Sequence, residues 1–119
     1  MNWFIDKKRP ICPQICEQLC LRIAKGNFEP HQKLLSVREI AVAAGVNPNT
    51  VQRSLEELER GGILYSVRGS GWFVSEDITL AKEILSEILT QKTADYFAAM
   101  QLLGMNLSEV KKYIQEWSV

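Results

Sequence analysis

Apolar positions along the chain change their period several times, and each change marks an element. Ile15, Leu19 and Ile23 recur every four residues and predict a first helix from about Ile11, with Pro13 in its opening turn and Gly26 past its end. The stretch "NFEPHQKLL" has no period and reads as a loop. Val37, Ile40, Ala41 and Ala44 give the apolar face of a second helix, opened by a capping box of Ser36 and Glu39 and stopped at Gly45. Asn47 then caps a third helix with Pro48 in its first position. Its apolar stripe is Val51, Leu55 and Leu58; Asn49, Arg53 and Arg60 point the opposite way, Thr50 and Gln52 lie on the flanks, and Gly61 and Gly62 end it.

Beyond the third helix the period shortens. "ILYSV" and "WFV" are strand-like runs around "RGSG", which predicts a hairpin with a four-residue turn. From about Ile78 to Leu103 the pattern is one long helix, broken by Gly104. A second capping box, Asn106 and Glu109, starts a short last helix that ends near Trp117. Residues 1–9 read as extended, with Trp3, Phe4 and Ile5 as docking residues.

Two short helices joined by a tight glycine turn make a helix-turn-helix, and the Gly-containing hairpin after them is a wing. The expected fold is mainly α: a winged helix-turn-helix of three helices and a β-hairpin over residues 1–77, then a two-helix appendage over residues 78–119. In such a unit the second helix of the motif enters the DNA major groove and meets base edges with its N-terminal residues. Asn49, Thr50, Gln52 and Arg53 supply hydrogen-bonding groups there; Asn and Gln pair with adenine, Arg with guanine. Glu56, Glu57 and Glu59 fall on later turns, outside the groove. Arg38, in the first turn of the preceding helix, and Arg68, Gly69 and Gly71, at the wing tip, complete the candidate DNA surface. Each piece has a plainer reading: "NPNT" as a helix start, "RGSG" as a turn, Arg38 as a solvated side chain. Their order along the chain favours the DNA reading.

Charge adds one asymmetry. The net charge is zero, yet residues 1–75 hold ten Lys/Arg against seven Asp/Glu, and residues 76–119 hold four against seven. The basic half suits a polyanion. No run of about 18 apolar residues and no secretory leader pattern occurs, so a cytoplasmic protein is expected. Cys12, Cys16 and Cys20, odd in number and four apart, do not form a disulfide framework. They lie in a row beside the Ile15–Leu19–Ile23 stripe and read as small apolar residues; a thiol sensor for a soft metal or an oxidant is the alternative. No cofactor and no catalytic constellation is expected: the one His is His31, in a loop, and no GxSxG, HExxH or phosphate-loop motif occurs. A winged-helix module that binds protein is the other class to weigh.

The segments "KLLSVREIA", "GVNPNTVQRSLEELERGGILY" and "RGSGWFV", within residues from about Pro10 to Asp77, resemble the DNA-binding domain of the GntR family of bacterial transcription regulators. "GVNPNTVQR" with the short C-terminal region is most similar to its YtrA-like subfamily. The resemblance implies a homodimer on an inverted-repeat operator, usually a repressor, and in that subfamily target genes that often encode ABC transporters. It places DNA contacts on Arg38, on Asn47 to Arg53 and on Arg68 to Gly71. The chain departs from the family pattern at Pro48 and Gln52, where Arg is frequent, at His31, where Gly is common, at Leu35, where Pro is common, and at Cys12, where Tyr is frequent.

The appendage is too short to enclose a pocket by itself, and its apolar face needs a cover. A second copy is the expected cover, with Ile84, Leu85, Ile88, Leu89, Phe97 and Trp117 as dimerisation residues. Tyr96, Phe97, Met100, Tyr113 and Trp117 read as core at helical spacing; a niche for a small-molecule effector is the alternative.

Overall fold

A computed structural model describes residues 2–117. Five helices and one hairpin follow in the order α1 (Ile11–Ala24), α2 (Val37–Ala44), α3 (Pro48–Arg60), β1 (Leu64–Val67), β2 (Gly71–Val74), α4 (Thr79–Leu102) and α5 (Leu107–Glu116). The chain divides into two compact units, Met1–Leu85 and Ser86–Val119, with the division inside α4.

The first unit is a winged helix. Its core is made by Ile15, Leu19 and Ile23 of α1, Ile40 and Ala41 of α2, Val51, Leu55 and Leu58 of α3, and Leu64 and Val74 of the hairpin. The apolar stripes read from the sequence are the buried faces, since the hydrophobic effect favours the one rotation of each helix that removes its stripe from water. Ala81 is buried in the same core, with Ile78 and Ile84 packed on it. The first unit therefore runs on to Leu85 instead of ending at 77.

Caps set the helix boundaries. The Ser36 hydroxyl accepts the Glu39 N–H at 3.1 Å and the Glu39 carboxylate accepts the Ser36 N–H at 3.1 Å. Gly45 ends α2 in the left-handed region (φ 69°, ψ 39°), where a side chain is penalised, and Val46 N–H returns to Ala41 O at 3.0 Å. Only Gly45, Val46 and Asn47 separate α2 from α3.

Three sequence expectations are corrected. The hairpin turn is one residue shorter than "RGSG" suggests: Gly71 pairs with Val67, so residues 68–70 form the loop, closed by Ser70 N–H to Val67 O at 2.9 Å. The segment 32–34 is not a free loop but an extended rung on β2, with Val74 N–H to Gln32 O at 2.9 Å, Leu34 N–H to Trp72 O at 2.9 Å and a bridge between Lys33 and Phe73; His31, at the turn before it, donates its N–H to Val74 O at 2.8 Å. In the N-terminal arm Trp3 and Ile5 pack on the core, whereas Phe4 is 79% exposed. Gln14, nearly buried, fixes the arm by accepting from Asp6 N–H at 2.8 Å and donating to Pro10 O at 2.9 Å.

In the second unit Val110 of α5 is buried, and Asn106 and Glu109 form the expected capping box. Most of its other apolar side chains stay in water: Leu89 is 57%, Leu102 89% and Trp117 65% exposed. Among the described residues no helix is long and apolar enough to cross a membrane.

Candidate nucleic-acid interface

The front of α3 is built by its own cap and by what its back must bury. Asn47 Oδ1 accepts the Asn49 N–H at 2.8 Å, and Pro48 holds the first helical position. Val51 and Leu55 are fully buried, which fixes the rotation of the helix about its axis. Asn49, Gln52 and Arg53 are consequently exposed, and Thr50 is half-buried on the flank. Gln52 Nε2 donates to Glu56 Oε1 at 3.0 Å, one turn along.

Ser54 is buried among these apolar neighbours and is the polar residue that the stripe did not announce. Its hydroxyl hydrogen-bonds Thr50 O at 2.9 Å and lies 3.3 Å from both Cys12 O and Cys12 Sγ. It seats the start of α1 against α3. In sequence, a serine packed against a neighbouring helix is indistinguishable from a solvated one.

The acidic second half of α3 has structural partners. Glu57 pairs with Arg60 within the helix. Glu59 Oε2 accepts from Ser66 N–H at 3.0 Å and from the Ser66 hydroxyl at 2.6 Å, which ties the end of α3 to the first wing strand. Glu56 orients Gln52. Glu59 thus holds helix and wing together, while Glu56 and Glu57 act within α3.

Arg38 is exposed in the first turn of α2, and Arg68 and Gly69 are exposed at the wing tip. Among the described residues the ion-paired arginines are Arg9 and Arg60, which leaves Arg38, Arg53 and Arg68 free of carboxylate partners. Gly69 has φ 79°, as the third residue of a type II turn requires. Gly71, half-buried at the start of β2, has φ 128° and lies under the Lys33 side chain. A cleft between α2 and the wing is lined by Ser36 and Glu39 from one side and by Ser70 and Trp72 from the other.

His31 occupies a left-handed conformation (φ 67°) that a glycine would adopt without strain. Its Nδ1 lies 2.8 Å from the Tyr65 hydroxyl, and Tyr65 stacks on Phe73. The His31 ring thereby rests on the aromatic face of the wing.

Two of the cysteines, Cys12 and Cys16, approach Ser54 of α3. Cys20 is buried, and Cys16 Sγ is 3.5 Å from Ser54 O. Burial pushes the Cys16 thiol up to about 12 and the Cys20 thiol up to about 11, so both remain protonated at neutral pH. Among the described residues no group of three His, Cys, Asp or Glu is placed to hold a metal ion. A thiol needs to be a thiolate to bind a soft ion or react with an oxidant, and these surroundings oppose that.

Within the second unit, Tyr96, Tyr113, Ile114 and Trp117 line an open groove of about 420 Å3. Phe97 lies instead in a second hollow with Leu89 and Thr93.

Residues 13–74 match the family described as bacterial regulatory proteins, gntR family. The transcriptional repressor YtrA of Bacillus subtilis is 36% identical over 118 residues, covering 92% of this chain and 85% of that protein. A GntR family transcriptional regulator from Listeria monocytogenes has the same fold with a TM-score of 0.84 and 35% identity, covering 96% of this chain and all of that one. The DNA-binding domain of AraR in complex with operator ORX1 superposes with a TM-score of 0.57 at 27% identity, covering 63% of this chain and 99% of that one.

Proposed function

From the fact that this chain belongs to the GntR family of bacterial regulatory proteins, we propose that it is a homodimeric repressor that reads an inverted-repeat operator with the front of α3. It is a winged-helix transcription regulator of YtrA-like type, not an enzyme. The observation that carries the operator reading is the rotation of α3: Val51 and Leu55 are buried to the last atom, so Asn49, Gln52 and Arg53 face solvent on a capped helix start. Arg38 and the wing tip at Arg68 to Gly71 hold the DNA backbone on either side, and Asn47, whose Oδ1 is committed to the cap, keeps only its amide N–H groups for DNA. The AraR domain, of the same fold, is bound to an operator in its structure, which supports a DNA-binding role for the first unit.

The second unit supplies the dimer contact. Leu89 and Trp117 are exposed and Ile88 and Phe97 half-exposed, an apolar surface that water disfavours and a second copy would cover. Ile84 contributes less to that contact, because it already packs on the core of its own first unit. The groove lined by Tyr96 and Trp117 is also apolar, and we assign it to the partner subunit in preference to an effector. The site of action is the cytoplasm, and the controlled genes, as in similar proteins, include a transporter operon.

A gel shift of the full chain on duplex DNA at low salt, with unlabelled competitor, tests the reading. A retained complex on a palindromic duplex, weakened as salt rises, is expected. Arg53→Ala changes the preferred base at one step per half-site, at a cost of roughly 1–3 kcal/mol. No complex with any duplex contradicts the reading.

A further inference from the structure

Lys33 lies in the segment that joins α1 to α2, outside every element that the sequence assigned to DNA. Its backbone is held on β2 by the bridge to Phe73, with Leu34 N–H on Trp72 O at 2.9 Å beside it. Its side chain is exposed and crosses Gly71: a Cβ added to that glycine would sit 3.3 Å from Lys33 Cε. Glycine at this position leaves room for the lysine stem, and half-buried Trp72 stands next to it as an apolar wall along the same cleft. Among the described residues the ammonium takes part in neither ion pair.

The cleft has a volume of about 290 Å3, with hydroxyls from Ser36 and Ser70 on its two sides. Its one carboxylate, Glu39, accepts the Ser36 N–H at 3.1 Å and keeps its charge, which the Lys33 ammonium offsets. The walls of the cleft are the first turn of α2, which carries Arg38, and the wing, which carries Arg68. On the DNA reading above, a duplex backbone held by both arginines would run along the cleft mouth.

We infer that this cleft is a phosphate-binding site in which Lys33 takes a DNA backbone phosphate between α2 and the wing. The inference rests on the DNA reading above and adds a contact to it. Lysine acts as a mobile point charge, suited to a phosphate and unsuited to reading a base edge in a fixed geometry. Its contribution is therefore independent of sequence and dependent on salt.

The test uses the full chain, titrated against a palindromic operator duplex and a scrambled duplex at several salt concentrations. Lys33→Met keeps the stem over Gly71 and removes the charge; Lys33→Arg keeps the charge. For Lys33→Met we expect weaker binding by severalfold on both duplexes at low salt, and a salt slope smaller by about 1. Lys33→Arg should restore the slope, and thermal unfolding should be the same in all three proteins. A Lys33→Met variant with the wild-type slope, or one that loses affinity for the operator alone, overturns the phosphate site while the family reading stands. A wild-type chain that binds neither duplex overturns both.

Discussion

Gln52 Nε2 donates to Glu56 Oε1 at 3.0 Å across one turn of α3. An acidic side chain thereby orients the amide that stands among the proposed base-reading groups. Gln52 keeps its second N–H and its carbonyl oxygen for an adenine edge, in a direction set by Glu56.

Glu56→Ala should free that amide and remove a negative charge near the duplex. Affinity for scrambled DNA is expected to rise, while discrimination at the base step facing Gln52 falls by about 1 kcal/mol, the size of one hydrogen bond. Competition with single-base operator variants measures both. Unchanged discrimination would show that the bond does not orient the reading group.

The two glycine turns at the ends of α2 and α3 make different demands. Gly45 has φ 69° with open space where a Cβ would go, so Gly45→Ala pays the backbone penalty alone, about 1 kcal/mol. Gly62 has φ 80°, and its added Cβ would meet Leu80 Cδ1 at 3.1 Å. Gly62→Ala should destabilise more than Gly45→Ala in urea denaturation. Equal losses would mean that Leu80 moves aside freely.

Cysteine chemistry gives a third expectation. Burial disfavours the thiolates of Cys16 and Cys20, raising them to about 12 and about 11. A raised acid favours the folded state while it is protonated, so its contribution is intact below the unfolded thiol range near pH 8.5 and is lost as pH rises through 11 to 12. Iodoacetate at pH 8 should label both residues at least about tenfold more slowly in the native chain than in urea, because the thiolate is the reacting species. Equal rates would reopen a sensor role.

Much of this site was legible in the sequence because local rules and burial agree there. Ser36, Gly45 and Asn47 are short-range signals, and the stripe through Val51, Leu55 and Leu58 fixes which face of α3 is left outside. What stayed hidden depends on distant partners. "PHQK" has the composition of a loop, and only the open edge of β2 makes residues near Lys33 extended. His31 gives no sign of its positive φ, and Ser54 looks solvated until α1 closes over it. The hairpin turn is one residue shorter than its pattern predicts because glycine fits turn or strand, and the pairing of Gly71 with Val67 decides.

The most direct measurement is selection of duplexes from a random pool by the full-length chain, followed by sequencing of the bound fraction. An inverted repeat should emerge, its half-sites about one or more helical turns apart, with the base preference in each half-site altered by Arg53→Ala. A bound pool without a palindrome, or a palindrome untouched by that substitution, would contradict a reading surface at the front of α3.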